Sequence, residues 1–312
     1  MHAATGGAWA EEGCGLKQFA SIDTLEASDG RILVPVVLDG KPLNFLLDTG
    51  ASESALFSDT AERLQLQTRP MQHARLSNVE GHSIDRYVTG KTFTLGGRTV
   101  ESRSFVVFPR NGAPDDAASG LLGADFLSQF DLEIDPVNHR IRLFSQDHCP
   151  GRAVYWADAY VDVPLEVNWF RHIFVSAELN GQKLRALLDT GASQVFLSIP
   201  AAEAHFGLTT ASPGVTRVTP EAASASSDMV YYRARLDTLS IEGIAMRNPT
   251  IFLLPDKLYE TLGKDDFRGQ GQVSRDFADL PELTIGTSVL QKLHLYIAYG
   301  EKRLYATAAN AH

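Results

Sequence analysis

The sequence predicts a mainly β protein made of two pseudo-symmetric lobes, and three observations carry that prediction. Leu46-Leu47-Asp48-Thr49-Gly50-Ala51-Ser52 recurs letter for letter as Leu187-Leu188-Asp189-Thr190-Gly191-Ala192-Ser193, and about half the positions of Ile32–Leu56 match Ile173–Leu197. Short apolar runs broken by frequent turns fill both halves, with only brief helical patterns between them. The 312 residues leave room for two domains of about 150 each, in step with the 141-residue offset between Asp48 and Asp189.

The elements follow in order. Residues 1–17 form a polar, Gly-containing lead-in, residues 18–150 the first lobe and 151–308 the second. Phe19 to Glu26 and Arg31 to Leu38 read as strands. Asp39-Gly40 is a two-residue hairpin signal, and Pro42 to Leu47 delivers Asp48 to a strand end, where Gly50 lets the backbone turn sharply. Ser58 to Leu66 has helical spacing with Ser58 or Asp59 as N-cap. Asn78 to His82 is a polar tip between extended runs, and Leu95-Gly96-Gly97-Arg98 is another hairpin. Asp125 reads as the N-cap of a short helix at Phe126-Leu127, after Leu121-Leu122-Gly123. A hairpin at Asp135 to Phe144 closes the lobe.

From Val161 the pattern starts again. Trp169-Phe170 marks a turn, read as a partly buried tip, and Asn180-Gly181 stands where Asp39-Gly40 stood. Glu221 to Asp228 is an Ala/Ser-rich segment matching the Asn78–His82 region. Thr284-Ile285-Gly286 answers Leu121-Leu122-Gly123, and Ile297 to Tyr305 answers the closing hairpin. The lobes differ mainly by a charged insertion at about 256–282, read as a surface loop.

Composition narrows the function. With a net charge of −10, nucleic acid and anionic membrane are poor partners. No apolar run reaches the length of about 18 residues that a spanning helix needs. The nine histidines show no metal-ligand spacing, and His139, His148 and His172 read as surface residues. Only two cysteines occur, Cys14 and Cys149, bracketing the first lobe. They read either as two thiols or as a disulfide, which by loop closure would add roughly 4–5 kcal/mol and would favour a periplasmic or secreted location.

Duplicated strands that each end in Asp suggest two carboxylates face to face across a pseudo-two-fold axis. Such a pair cannot readily ionise twice, so it shares a proton. One member can then act as base towards a water while the other polarises a carbonyl. The Asp-Thr-Gly-Ala-Ser stretch after two aliphatic residues resembles the active-site motif of retropepsin-like and pepsin-like aspartic peptidases.

That resemblance implies two acid-protease-type β-barrel lobes with an active-site cleft between them. It implies an endopeptidase in which Asp48 and Asp189 hold the catalytic water, with no covalent acyl-enzyme and no call for a metal or cofactor. Thr49 and Thr190 would bond across the lobe boundary, and Gly50 and Gly191 would permit close approach. Ala51, Ser52, Ala192 and Ser193, with Val79 and Gly81 at a flap tip, would contact an extended peptide or protein substrate. With both lobes in one chain no dimer is required, as in pepsins, and a bacterial envelope setting fits. The rival expectation is a non-hydrolytic peptide-binding or regulatory protein on the same fold.

Overall fold

The computed structural model describes residues 15–71, 76–77, 83–110, 118–219, 230–254 and 281–310. The expected flap tip with Val79, Gly81 and His82 lies outside these residues, as do Cys14, the 221–228 segment and all of the insertion but its last two positions.

The protein is mostly β, in two lobes with curled sheets that share a third, six-stranded sheet. Turn chemistry sets the hairpins. Asp39 and Gly40 have φ of 49° and 75°, and Asn180 and Gly181 have 47° and 78°. Two positive φ values in succession make the primed turn whose twist suits paired strands. The first residue of each pair does a second job. Asp39 Oδ1 accepts from the Thr92 N–H at 2.8 Å, while Asn180 Oδ1 accepts from the Asp237 and Thr238 N–H groups at 2.8 and 2.9 Å. Each short polar side chain thus ties its hairpin to a neighbouring strand.

Each lobe then builds one crossing. Lys41–Leu47 pairs antiparallel with Ile32–Leu38 and parallel with Gly120–Leu122, which also pairs antiparallel with Ala55–Phe57. The short strand therefore lies between the chain entering the Asp48 loop and the chain leaving it. Leu283–Ile285 repeats the arrangement between Gln182–Leu188 and Val195–Ser198. Every residue of both crossing strands is buried, so Gly120-Leu121-Leu122 lacks the alternation of a half-exposed strand and the one polar residue of the second, Thr284, is buried as well. Below the first crossing, Phe45 packs against Phe93 and Phe105 at ring-centroid distances of 6.0 and 5.6 Å.

The shared sheet runs Gln18–Asp23, Arg140–Phe144, Asp131–Asp135, Leu293–Ala298, Arg303–Ala308, Val161–Pro164. Its centre joins the halves, with Leu132 opposite Ile297 and Glu133 opposite Tyr296. Asp131, Glu133 and Asp135 share one face of their strand, and all three are buried. Buried carboxylates need partners, and the neighbouring strand Arg140–Phe144 and the chain that follows it supply several. His148 Nε2 lies 2.6 Å from Asp131 Oδ2, the Tyr155 hydroxyl donates to Glu133 at 2.6 Å, and Arg142 donates to Glu133 at 2.5 Å. Trp156 stacks on His294 at 4.0 Å and closes the cover. His148, expected at the surface, therefore has a side chain only 1% exposed.

Two local expectations also change. The first helix spans Ser58–Arg63, not Ser58–Leu66, because Gln65 turns left-handed at φ 54° and the Leu66 N–H reaches back to Ala61 C=O. Its N-cap is Phe57, with no side-chain cap, and Ser58 Oγ accepts from the Arg110 N–H instead. Phe57 is committed to packing, with the Arg110 guanidinium 3.8 Å from its ring centroid. Trp169, expected to be partly buried, is 89% exposed.

Phe45 is fully buried beneath the first crossing, so Phe45→Ala should lower stability by about 3–5 kcal/mol. Urea unfolding checks this, with a lowered midpoint as the expected outcome.

Candidate active site

The two Asp-Thr-Gly loops meet where the crossings end. The Asp48 N–H donates to Leu122 C=O at 3.0 Å, and the Asp189 N–H donates to Ile285 C=O at 3.0 Å. The crossing strand of each lobe therefore holds its aspartate at the strand end.

Thr49 and Thr190 then lock the loops to each other. The Thr49 hydroxyl donates to Leu188 C=O at 2.7 Å and accepts from the Thr190 N–H at 3.1 Å. The Thr190 hydroxyl donates to Leu47 C=O at 2.7 Å and accepts from the Thr49 N–H at 3.1 Å. Both threonines are buried. A hydroxyl can donate and accept at once, so each threonine satisfies both of its roles.

Gly50 and Gly191 bring the carboxylates together. A Cβ built on Gly50 would lie 2.5 Å from both carboxylate oxygens of Asp189, and one on Gly191 would lie 2.5 Å from Asp48 Oδ2. Neither glycine has positive φ. The chain does turn at these glycines, with the Ala192 N–H donating to Asp189 C=O at 3.3 Å, but what requires glycine there is space for the opposite carboxylate. Each aspartate is held from below by its own loop. Asp48 Oδ1 accepts from the Gly50 N–H at 3.0 Å, while Asp189 Oδ1 accepts from Gly191 and Ala192 at 2.8 and 3.2 Å.

Burial and the facing charge set the protonation. Burial first, and the Asp189 charge second, push the Asp48 carboxyl up to about 8. Burial also raises Asp189; two backbone N–H groups favour the ionised form of each carboxylate, from Gly50 and Ala51 for Asp48 and from Gly191 and Ala192 for Asp189, and only Asp189 is favoured in addition by a hydrogen bond from its partner's side chain. The pair shares a proton that Asp48 holds more tightly. Arg31 adds positive charge acting on both carboxylates. The signal for it lay in the sequence order: Arg31 immediately precedes the strand Ile32–Leu38, whose Leu33 pairs with Leu46, two residues before Asp48.

Asp125 also does more than expected. Gly123, not Asp125, is the N-cap of helix Ala124–Leu127. Asp125 Oδ1 accepts from Ser54 N–H and Oγ–H at 2.8 and 2.6 Å, and its other oxygen pairs with Arg103. Ser54 Oγ in turn accepts from the Gly123 N–H at 3.0 Å, so Asp125 braces the loop that follows Asp48.

The expected substrate contacts are uneven. Ala51, Ser52 and Ala192 are half-buried beside the dyad, whereas Ser193 is only 3% exposed. Among the described residues Glu133, Asp135 and His294 offer ligand atoms within 4.8 Å of one another. Glu133 already accepts from Arg142, whose charge opposes a cation there.

The raised Asp48 carboxyl fixes the sign of a pH effect. The native state holds this proton more tightly than the unfolded chain, so stability falls as pH rises from the ordinary carboxylate range towards about 8. Asp48→Asn, which cannot ionise, should raise the melting temperature at neutral pH by at least about 2 °C, with the gain vanishing near pH 4. Thermal melts of both proteins across that range check it; a gain independent of pH would contradict the shared proton.

The chain matches the family profile described as aspartyl protease over residues 34–126 and again over 175–269. Each matched stretch contains one Asp-Thr-Gly loop and the strand that leads into it. No curated protein matches the chain. With the same profile recognised in both halves, this chain belongs to the aspartyl protease family.

Proposed function

We propose that the protein is an aspartic endopeptidase that cuts peptide bonds with a water activated by Asp48 and Asp189. The observation that carries this reading is the approach of the two carboxylates, each filling the space over the other loop's glycine. Asp189 is taken as the base, because the Asp48 side chain hydrogen-bonds it and favours its ionised form, whereas the Asp189 charge keeps Asp48 protonated. It takes a proton from water as the oxygen attacks the scissile carbonyl. Asp48 gives its proton to the carbonyl oxygen, leaving a neutral tetrahedral diol. The C–N bond breaks as the proton on Asp189 passes to the leaving amine, and a diol hydroxyl proton returns to Asp48. An extended peptide would lie in the cleft, held partly by strand-like backbone bonds.

Incubation with a mixed peptide library between about pH 4 and 7.5 tests the reading, beside Asp48→Asn and Asp189→Asn. Cleavage by the wild type should be lost in both variants by about a thousandfold or more. Loss in only one variant would overturn the paired mechanism. No cleavage by a folded wild type would favour the peptide-binding alternative.

We further propose a Cys14–Cys149 bridge and a periplasmic or secreted location. The support is that the only two cysteines bracket the first lobe and that such bridges persist in oxidising compartments. The mass of protein alkylated before and after reduction checks the bridge. Alkylation of both thiols without reductant would refute it.

A further inference from the structure

We propose that His148 is a proton-held latch between the two halves of the chain. Its imidazolium bonds a carboxylate of each half, and the stretch 145–156 lets go of the shared sheet when that proton leaves. The inference stands apart from the peptidase reading, because the latch lies on the shared sheet and not at the dyad.

The buried ring meets acceptors at both ends. Nε2 lies 2.6 Å from Asp131 Oδ2, while Nδ1 lies 3.2 Å from Cys149 C=O and 3.3 Å from Glu301 Oε1. A neutral imidazole has one N–H and one lone pair, so at one end it would turn a lone pair towards an oxygen. With both nitrogens protonated it donates at both ends. Burial opposes that charge, but the bonds to Asp131 and to Cys149 C=O outweigh it and raise the His148 pKa. Burial raises Asp131 as well, so the pair keeps a proton above the ordinary histidine range.

The surrounding groups are otherwise engaged. Glu133 is matched by Arg142 at 2.5 Å and His294 at 2.8 Å, and Arg303 by Asp162 at 2.5 Å. Asp147 is exposed and pairs with Lys17. The Tyr296 hydroxyl donates to Asp131 at 3.4 Å and the Tyr305 hydroxyl to Glu301 at 2.6 Å. Burial raises both, and Tyr299 beside them, so all three stay neutral. His148 is therefore the cation that Asp131 and Glu301 share.

Those two carboxylates belong to opposite halves. Asp131 begins the strand whose Leu132, Glu133 and Ile134 pair with the second half, and Glu301 lies in the turn between Leu293–Ala298 and Arg303–Ala308. The same stretch also gives the Gly151 N–H to Glu301 at 3.1 Å, the Tyr155 hydroxyl to Glu133 at 2.6 Å and the Trp156 Nε1–H to Thr307 Oγ1 at 3.1 Å. It thus straps one half to the other. Loss of the proton leaves two carboxylates against a neutral ring, and buried charge without a partner is costly enough to draw the stretch out towards water.

The folded state holds this proton more tightly than the unfolded chain does. The latch is therefore fully stabilising below about pH 6.5 and is lost as pH rises through the raised value. Asp48→Asn is the chain to test, since it removes the pH effect of the dyad. Its melting temperature should fall by about 2–4 °C between about pH 6.5 and 9.5, and that of Asp48→Asn/His148→Gln by less than half as much. Equal falls would overturn the proposal. NMR of the histidine ring nitrogens in Asp48→Asn decides the matter if the double variant does not fold. His148 should carry a proton on both nitrogens at about pH 7.5, and a singly protonated ring there would refute the latch. Release is read by Trp156, as the difference in emission between Asp48→Asn and Asp48→Asn/Trp156→Phe. That emission should move reversibly to longer wavelength over the same pH range, and a constant wavelength would show that the stretch stays in place.

Discussion

The dyad depends on the bonds that Thr49 and Thr190 exchange. Neither carboxylate could face the other unless both loops were held at one separation, and the threonines impose it from below. Each bond is buried, where an unmade partner costs about 1–3 kcal/mol, so the loops have little freedom to drift apart. The β-branch helps, since it restricts χ1 and aims the hydroxyl before the partner arrives. The close approach of carboxylate to glycine follows, and so does the raised Asp48 carboxyl.

The symmetry of the motif hides an asymmetry in its support. The first loop is braced by Asp125, Ser54 and Arg103. At the matching places the second lobe has Ser288 and Val195, and there the loop is held by backbone bonds from Thr287 and Ser288 to Ala192 and Ser193. An ion pair fixes one loop, and the other relies on packing and main-chain bonds. Arg31, whose charge acts on both carboxylates and which is matched by His172 in the other lobe, continues the difference. Two identical stretches of seven residues therefore sit in different electrostatic surroundings.

Much of this was legible in the sequence because local chemistry decides it. Asp39-Gly40 and Asn180-Gly181 announce primed turns, and the exact repeat announces two loops of the same backbone design. What was not legible depends on distant partners. His148 is buried because Asp131 and Glu301 wait for it, and a lone histidine carries no sign of them. Asp125 looked like a cap because a short acid before an apolar pair often is one. Its real partner, Ser54, is remote in sequence. The glycines were found for an incomplete reason, since the clash that excludes a side chain comes from the other lobe.

The shared sheet also bears on how the chain is made. The Asp131–Asp135 strand receives its second neighbour, Leu293–Ala298, only when almost the whole second half exists. At ribosomal rates of about 5–20 residues per second, that leaves an open strand edge for on the order of ten seconds. An exposed, apolar edge of that lifetime would invite pairing with other chains. Here Asp131, Glu133 and Asp135 put an acid at every second position. The same carboxylates that tie the finished lobes together make the waiting strand a poor template for aggregation.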